Sequence, residues 1–98
     1  MTQDKTGAPT TVTAESDRYT IAVDDKEVGN AEFVDRDGRR EFTHTEVDDD
    51  YEGRGLATIL IGEALQDTRA AGLRIKAVCP MVAAYLKKHD EYREIVDD

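Results

Sequence analysis

Tyr51-Glu52-Gly53-Arg54-Gly55-Leu56-Ala57 marks the point where the pattern of the chain changes. Before it, apolar and polar residues alternate with the period of a half-buried strand. After it, Ala57, Leu60, Ile61, Ala64, Leu65 and Thr68 recur at helical spacing, with Glu63, Gln66, Asp67 and Arg69 on the other side. Two glycines and an alanine at a helix start let a ligand approach the backbone closely, and the first-turn N–H groups have no partner inside the helix. By geometry this is a pyrophosphate cradle, to which Arg54 adds a positive charge. It is not a Walker loop, because no Gly-Lys-Ser/Thr follows, nor a Rossmann fingerprint, which needs a third glycine. A plain strand-to-helix turn has the same composition. Its position, between a strand and the longest amphipathic helix, favours ligand binding.

Upstream, Tyr19, Ile21 and Val23 alternate with polar neighbours, Val28 to Val34 is a second extended run, and Asp35-Arg36-Asp37-Gly38 is a hairpin signal. A third strand is predicted over Glu41 to Val47, with Phe42, His44 and Glu46 on one face and Thr43, Thr45 and Val47 on the other. Short turns make these three an antiparallel meander. Downstream, Gly72 stops the helix, Leu73 to Val78 returns to strand character, and Cys79-Pro80 opens a shorter helix with the stripe Val82, Tyr85 and Leu86. Tyr92, Ile95 and Val96 are expected to pack the C-terminal segment back onto the domain. The predicted fold is α/β (α+β), a small mixed sheet in the order β-β-β-α-β-α, in which the meander is joined to one right-handed parallel βαβ crossover. Residues 1–16 show no useful periodicity and are expected to form a flexible tail, leaving residues 17–98 as a single domain.

The net charge of −9, from 22 acidic against 13 basic residues, argues against a nucleic-acid surface. No apolar run is long enough to span a bilayer and the N-terminus lacks a signal-peptide core, so a cytoplasmic protein is expected. One cysteine and two histidines are too few for a disulfide or a metal cluster. The carboxylate excess, including Asp24-Asp25, Asp48-Asp49-Asp50 and Asp97-Asp98, suits a saline cytoplasm, where salt screens the repulsion. An ordinary acidic protein is the other reading.

The runs Arg18-Tyr19, Thr43-His44-Thr45-Glu46-Val47, Gly53-Arg54-Gly55-Leu56-Ala57, Cys79-Pro80-x-Val82-Ala83-Ala84-Tyr85-Leu86 and His89-Asp90-Glu91-Tyr92 together resemble the minimal single-domain GNAT-like N-acetyltransferase family. Gly55 and Ala57 match the last two small positions of the superfamily motif Gln/Arg-x-x-Gly-x-Gly/Ala, whereas Glu52 stands where Gln or Arg is usual. The resemblance implies acetyl-CoA, or another short acyl-CoA, as co-substrate and a small-molecule or protein amine as acceptor, with no metal. It further implies a backbone groove at Val47 for the pantetheine arm and pyrophosphate contacts from Gly53, Arg54, Gly55, Leu56, Ala57 and Thr58. Lys87 and Lys88 become candidates for a further phosphate, and the family's His and Cys positions match His44 and Cys79.

A thiol at a helix N-terminus is favoured as thiolate, so Cys79 is a candidate nucleophile. The crossover places its strand beside the one carrying His44, whose imidazole is then expected to take the thiol proton. Glu46 is a candidate general base for an incoming amine. Whether the acyl group passes through Cys79 or the amine attacks directly stays open, as does a non-catalytic acyl-CoA-binding role. If the carboxylate excess is an adaptation to salt, the melting temperature should rise from low to molar salt as screening relieves repulsion. A flat or falling melting temperature over that range would count against the saline-cytoplasm reading.

Overall fold

In the computed structural model, which describes residues 2–97 (Thr2 by its backbone only), seven strands form one sheet whose spatial order is the order of the chain. They are β1 (Thr2–Gln3), β2 (Pro9–Ala14), β3 (Arg18–Val23), β4 (Lys26–Arg36), β5 (Arg39–Val47), β6 (Arg74–Ala77) and β7 (Val96–Asp97). β1 to β5 are an antiparallel meander, and β6 and β7 add parallel to its far edge. Helix α1 (Leu56–Ala70) connects β5 to β6, and α2 (Pro80–Lys87), followed by a 3-10 segment over Asp90–Ile95, connects β6 to β7. The mixed sheet, meander and crossover predicted from the sequence are present.

The strands stand because their alternation buries one face under α1. Tyr19, Ile21 and Val23 of β3, Ala31 and Phe33 of β4 and Phe42 of β5 meet Leu56, Leu60, Ala64 and Leu65 of the helix, all buried. Tyr19, Phe33 and Phe42 form an aromatic triangle with centroid separations of 5.3, 6.3 and 6.1 Å. Removing a fully buried side chain such as Leu60 leaves a cavity costing about 2–5 kcal/mol, a large share of a small domain's stability. Gly72, at φ +76°, ends α1 in the left-handed conformation that glycine adopts at least cost. α2 leans on α1 where Tyr85 crosses Gly62. A Cβ there would lie 2.8 Å from the tyrosine oxygen, so any larger residue would make the Tyr85 side chain shift.

The structure corrects two expectations. Residues 1–16 are expected to form a flexible tail, but the described part of that stretch, from residue 2 on, is built into the sheet. Pro9–Ala14 pairs with β3 through five register positions, Thr2 and Gln3 pair with Thr10 and Pro9, and the family of short strands continues into the meander. The run Thr10-Thr11-Val12-Thr13 has the β-branched side chains that suit a sheet, and Thr10 faces inward. The turn between β1 and β2 is built on Asp4, whose carboxylate accepts from the amides of Thr6 and Ala8 and the hydroxyl of Thr6. At the other end, Val96–Asp97 is a seventh strand as well as a packing segment, and Tyr92 is buried under Arg69, 4.8 Å from its ring centre.

The second correction concerns β5. Glu32 pairs with His44 but Phe33 pairs with Phe42, so Thr43 is an extra residue, a β-bulge. The bulge breaks the alternation. Phe42 and Thr45 point into the core, whereas His44 and Glu46 point out. Phe42 does not share a face with His44 and Glu46.

Asp4 offers a test of the N-terminal hairpin. The hydroxyl of Thr6, then the Ala8 and Thr6 amides and the Arg54 guanidinium, outweigh the burial that opposes them and lower its carboxyl from 3.8 to about 2. A carboxyl depressed in the folded state stabilises above its unfolded value and loses that contribution as pH falls toward the folded one. Denaturant titrations should therefore show the wild type's advantage over Asp4→Asn shrinking between about pH 4 and pH 2. A constant difference would mean that the carboxylate is not engaged as described.

Candidate active site

Beyond Phe42, β5 and β6 part. Their parallel register ends at Phe42 opposite Ala77, and the next two amides, of Val78 and Cys79, both donate to the Phe42 carbonyl, at 3.0 and 2.8 Å. Pro80, with no N–H, then opens α2. From Thr43 to Val47, β5 thus has β4 on one side and no strand on the other, so the backbone polar groups of that edge have no ladder partner.

A cleft of about 400 Å³ lies along this edge, lined by Thr45, Glu46 and Val47 of β5, Asp49, Tyr51, Glu52 and Gly53 of the loop, Leu56 and Ala57 of α1, and Met81 of α2. Gly53 and Gly55 have φ of +77° and +79°, and a Cβ on Gly53 would meet nothing within 4 Å, so the loop is open there. The first bond of α1 runs from the Ile59 amide to the Gly55 carbonyl at 3.2 Å. The amides of Leu56, Ala57 and Thr58 precede it and are the partnerless donors of the first turn. A second groove of about 400 Å³ shares Ala57 and Met81 with the first and continues past Thr58, Ala84, Tyr85, Lys88 and His89.

Most of the predicted cofactor residues therefore fall on one continuous surface. Val47, Gly53, Leu56 and Ala57 line the cleft and Thr58 its continuation, with Gly55 at the helix N-cap. Two cations do not fit the prediction. Arg54 is turned to the N-terminal hairpin: its Nε donates to Asp4 Oδ2 at 2.7 Å, its Nη2 lies 2.6 Å from the same oxygen, and its guanidinium stacks 4.8 Å from the Tyr51 ring centre. Lys87 lines a different surface, with Lys76, Asp90, Arg93 and Asp97. Consecutive helical positions are rotated by about 100°, and it is Lys88 that lies on the groove's side.

The predicted catalytic residues separate as well. Cys79 is buried at 3 % exposure and does not line the cleft, and its Sγ lies 3.5 Å from Thr45 Oγ1. His44 projects from the opposite face of β5 and has its Nε2 3.4 Å from Glu46 Oε2. The Thr43 bulge thus puts Thr45, not His44, beside the thiol. Burial pushes the Cys79 thiol up, but the Thr45 hydroxyl and the first-turn amides of Val82 and Met81 outweigh it and hold the thiol below its ordinary value. Thr45 and Met81 carried no signal in the sequence that marked them as site residues, whereas Lys88 stood beside Lys87 as a candidate for a further phosphate. Their roles come from the bulge, from the helix rotation and from a helix start that brings Met81 over α1.

No group of three or more His, Cys, Asp or Glu positioned to hold a metal occurs among the described residues, and no helix there is long and apolar enough to cross a membrane. Alkylation tests the Thr45–Cys79 assignment. Iodoacetamide should modify Cys79 slowly in the folded protein. Thr45→Val should move the pH midpoint of that reaction upward, because a group that lowers the thiol's pKa is gone, and His44→Ala should leave it in place. A shift with His44→Ala and none with Thr45→Val would restore the histidine–cysteine pair.

Comparison with known proteins gives the cleft a context. The chain is similar to a GCN5-like protein from Staphylococcus aureus whose structure was solved in solution by NMR: the TM-score is 0.69 at 21% identity, over 89% of this chain and 87% of that one, a likeness of fold. No curated protein matches. The profile of the GCN5-related N-acetyl-transferase family matches residues 18–95, which include the splayed strands, the glycine loop and both helices, and the chain belongs to that family.

Proposed function

We propose that the protein transfers an acetyl group from acetyl-CoA to an amine. The observation that carries this reading is the unpaired edge of β5 from Thr43 to Val47, running directly into the open amides of α1. An extended, amide-containing arm adds to such an edge by main-chain hydrogen bonds. A diphosphate suits a glycine-flanked helix N-terminus. In this arrangement Val47 and its neighbours hold the pantetheine arm, and Gly53 through Thr58 hold the diphosphate. Lys88 stands on the continuing groove for a further phosphate. The two grooves, of about 400 Å³ each, meet at Ala57 and Met81, which supports a ligand extended across both.

Bound there, the cofactor supplies an acyl thioester. This chain's residues align it and handle the proton. Glu46 is among the residues along the cleft, its exposed carboxylate 3.4 Å from His44, and in this reading it takes the proton from an attacking amine and passes it by way of His44 to solvent. The amine nitrogen forms the new C–N bond, the C–S bond breaks, and the thiolate leaves, taking up a proton from solvent. Glu46, Asp49 and Glu52 on the cleft wall favour a cationic acceptor. Direct attack is the route that the geometry supports, because Cys79 is buried behind Thr45 instead of facing the cleft.

The expected behaviour is amine-dependent release of free CoA thiol with no acyl adduct on the protein by mass spectrometry. Glu46→Gln should lower kcat by about a hundredfold, within the range for a lost general base, with little change in CoA affinity. Ala57→Leu, a helix-compatible residue that fills the junction of the two grooves, should weaken CoA binding by at least about tenfold while the melting temperature holds. Binding without turnover for any amine would leave a non-catalytic acyl-CoA module. An adduct on Cys79 would overturn direct attack.

A further inference from the structure

The turn between β1 and β2 lies across the glycine loop, and this segment precedes the part of the chain shared with the family. The Lys5 amide donates to the Arg54 carbonyl at 2.9 Å, and the buried Asp4 carboxylate holds the Arg54 guanidinium. Both fix the turn without using the Lys5 side chain. That side chain runs along Gly55, where a Cβ would lie 3.3 Å from its Cε and 3.4 Å from its Cγ. Lys5 is exposed, and its ammonium has no ion pair among the described residues.

The charges around the loop make this placement informative. Glu46, Asp49 and Glu52 line the cleft, and no Lys or Arg does. Arg54, the cation that the sequence offers at the loop, is neutralised by Asp4. At the start of α1 a diphosphate would meet backbone amides beside the carboxylates of the cleft, and the Lys5 chain lies against the N-cap glycine itself, whereas Lys26 sits over the Tyr51 ring and Lys88 on the continuing groove.

We propose that Lys5 is a binding residue for the diphosphate of the cofactor, reaching over Gly55 and taking the part that Arg54 cannot. The inference rests on the acyl-CoA reading above. Because the Lys5 chain packs on Gly55 and the turn is held by other groups, the ammonium is pre-positioned at little entropic cost. The N-terminal hairpin is then part of the site as well as of the sheet.

The test is calorimetric titration of the full chain and of Lys5→Gln and Lys5→Arg with CoA and with dephospho-CoA, which keeps the diphosphate and lacks the 3′-phosphate. Lys5→Gln should bind both about fivefold more weakly at low salt, as expected for one partly exposed charge pair, with a flatter salt dependence. Lys5→Arg should restore binding, the melting temperature should not move, and NMR titration with S-acetyl-pantetheine, which has no diphosphate, should be indifferent to the substitution. Wild-type affinity in Lys5→Gln, tighter binding, or an equal loss for the pantetheine thioester would overturn the role of Lys5 and leave the cofactor reading standing. Failure of the wild type to bind CoA at all would remove both.

Discussion

The site exists because β5 and β6 stop pairing at Phe42. Two consecutive amides, from Val78 and Cys79, converge on one carbonyl, which leaves no register in which a parallel ladder continues. Pro80 then removes the next donor and turns the chain into α2. The core packing supports this arrangement. Phe42 and Ile75 anchor the paired part of the strands under α1, and Val82 anchors α2 beyond the split, all buried. An open strand edge inside a domain is normally a liability, since its polar groups seek a partner. Here it faces a cleft that ends at the partnerless amides of a 15-residue helix.

The N-terminal hairpin holds the other wall. Asp4 organises its own turn, then reaches Arg54, fifty residues away in the chain, so that the loop leading to α1 is tied down by an ion pair whose carboxylate is withdrawn from solvent. A cation in a glycine loop reads as a ligand for phosphate. In this protein it serves the fold. The exchange leaves the loop's amides free and lets the hairpin place a different residue over Gly55. One tie thus settles both the shape of the loop and the charge that a ligand would meet there.

Elements governed by local pattern were legible in the sequence. The change from period two to 3.6 at Tyr51–Ala57 located the β5–α1 junction, and Gly72 and Pro80 marked the helix boundaries where the structure has them. The open glycine turn at the start of α1 followed from the same residues. What depended on one extra residue was not legible. The Thr43 bulge leaves composition and length unchanged but reverses which neighbours share a face with Phe42, and it exchanged His44 for Thr45 beside Cys79. The choice between Lys87 and Lys88 turns on a helix rotation that depends on where α2 docks against Gly62. The hairpin's Thr10 and Val12 did alternate, yet a short polar strand becomes recognisable only once its partner β3 is in place.

The most direct test of the account is a set of amide chemical-shift perturbations in the 15N-labelled protein on addition of acetyl-CoA. The account predicts the largest changes at Thr45 to Val47 and Gly53 to Thr58, with smaller ones at Lys88 and His89 and near silence along β2 and the outer face of β3. No perturbation at saturating cofactor, or perturbations confined to surfaces away from the split between β5 and β6, would contradict it.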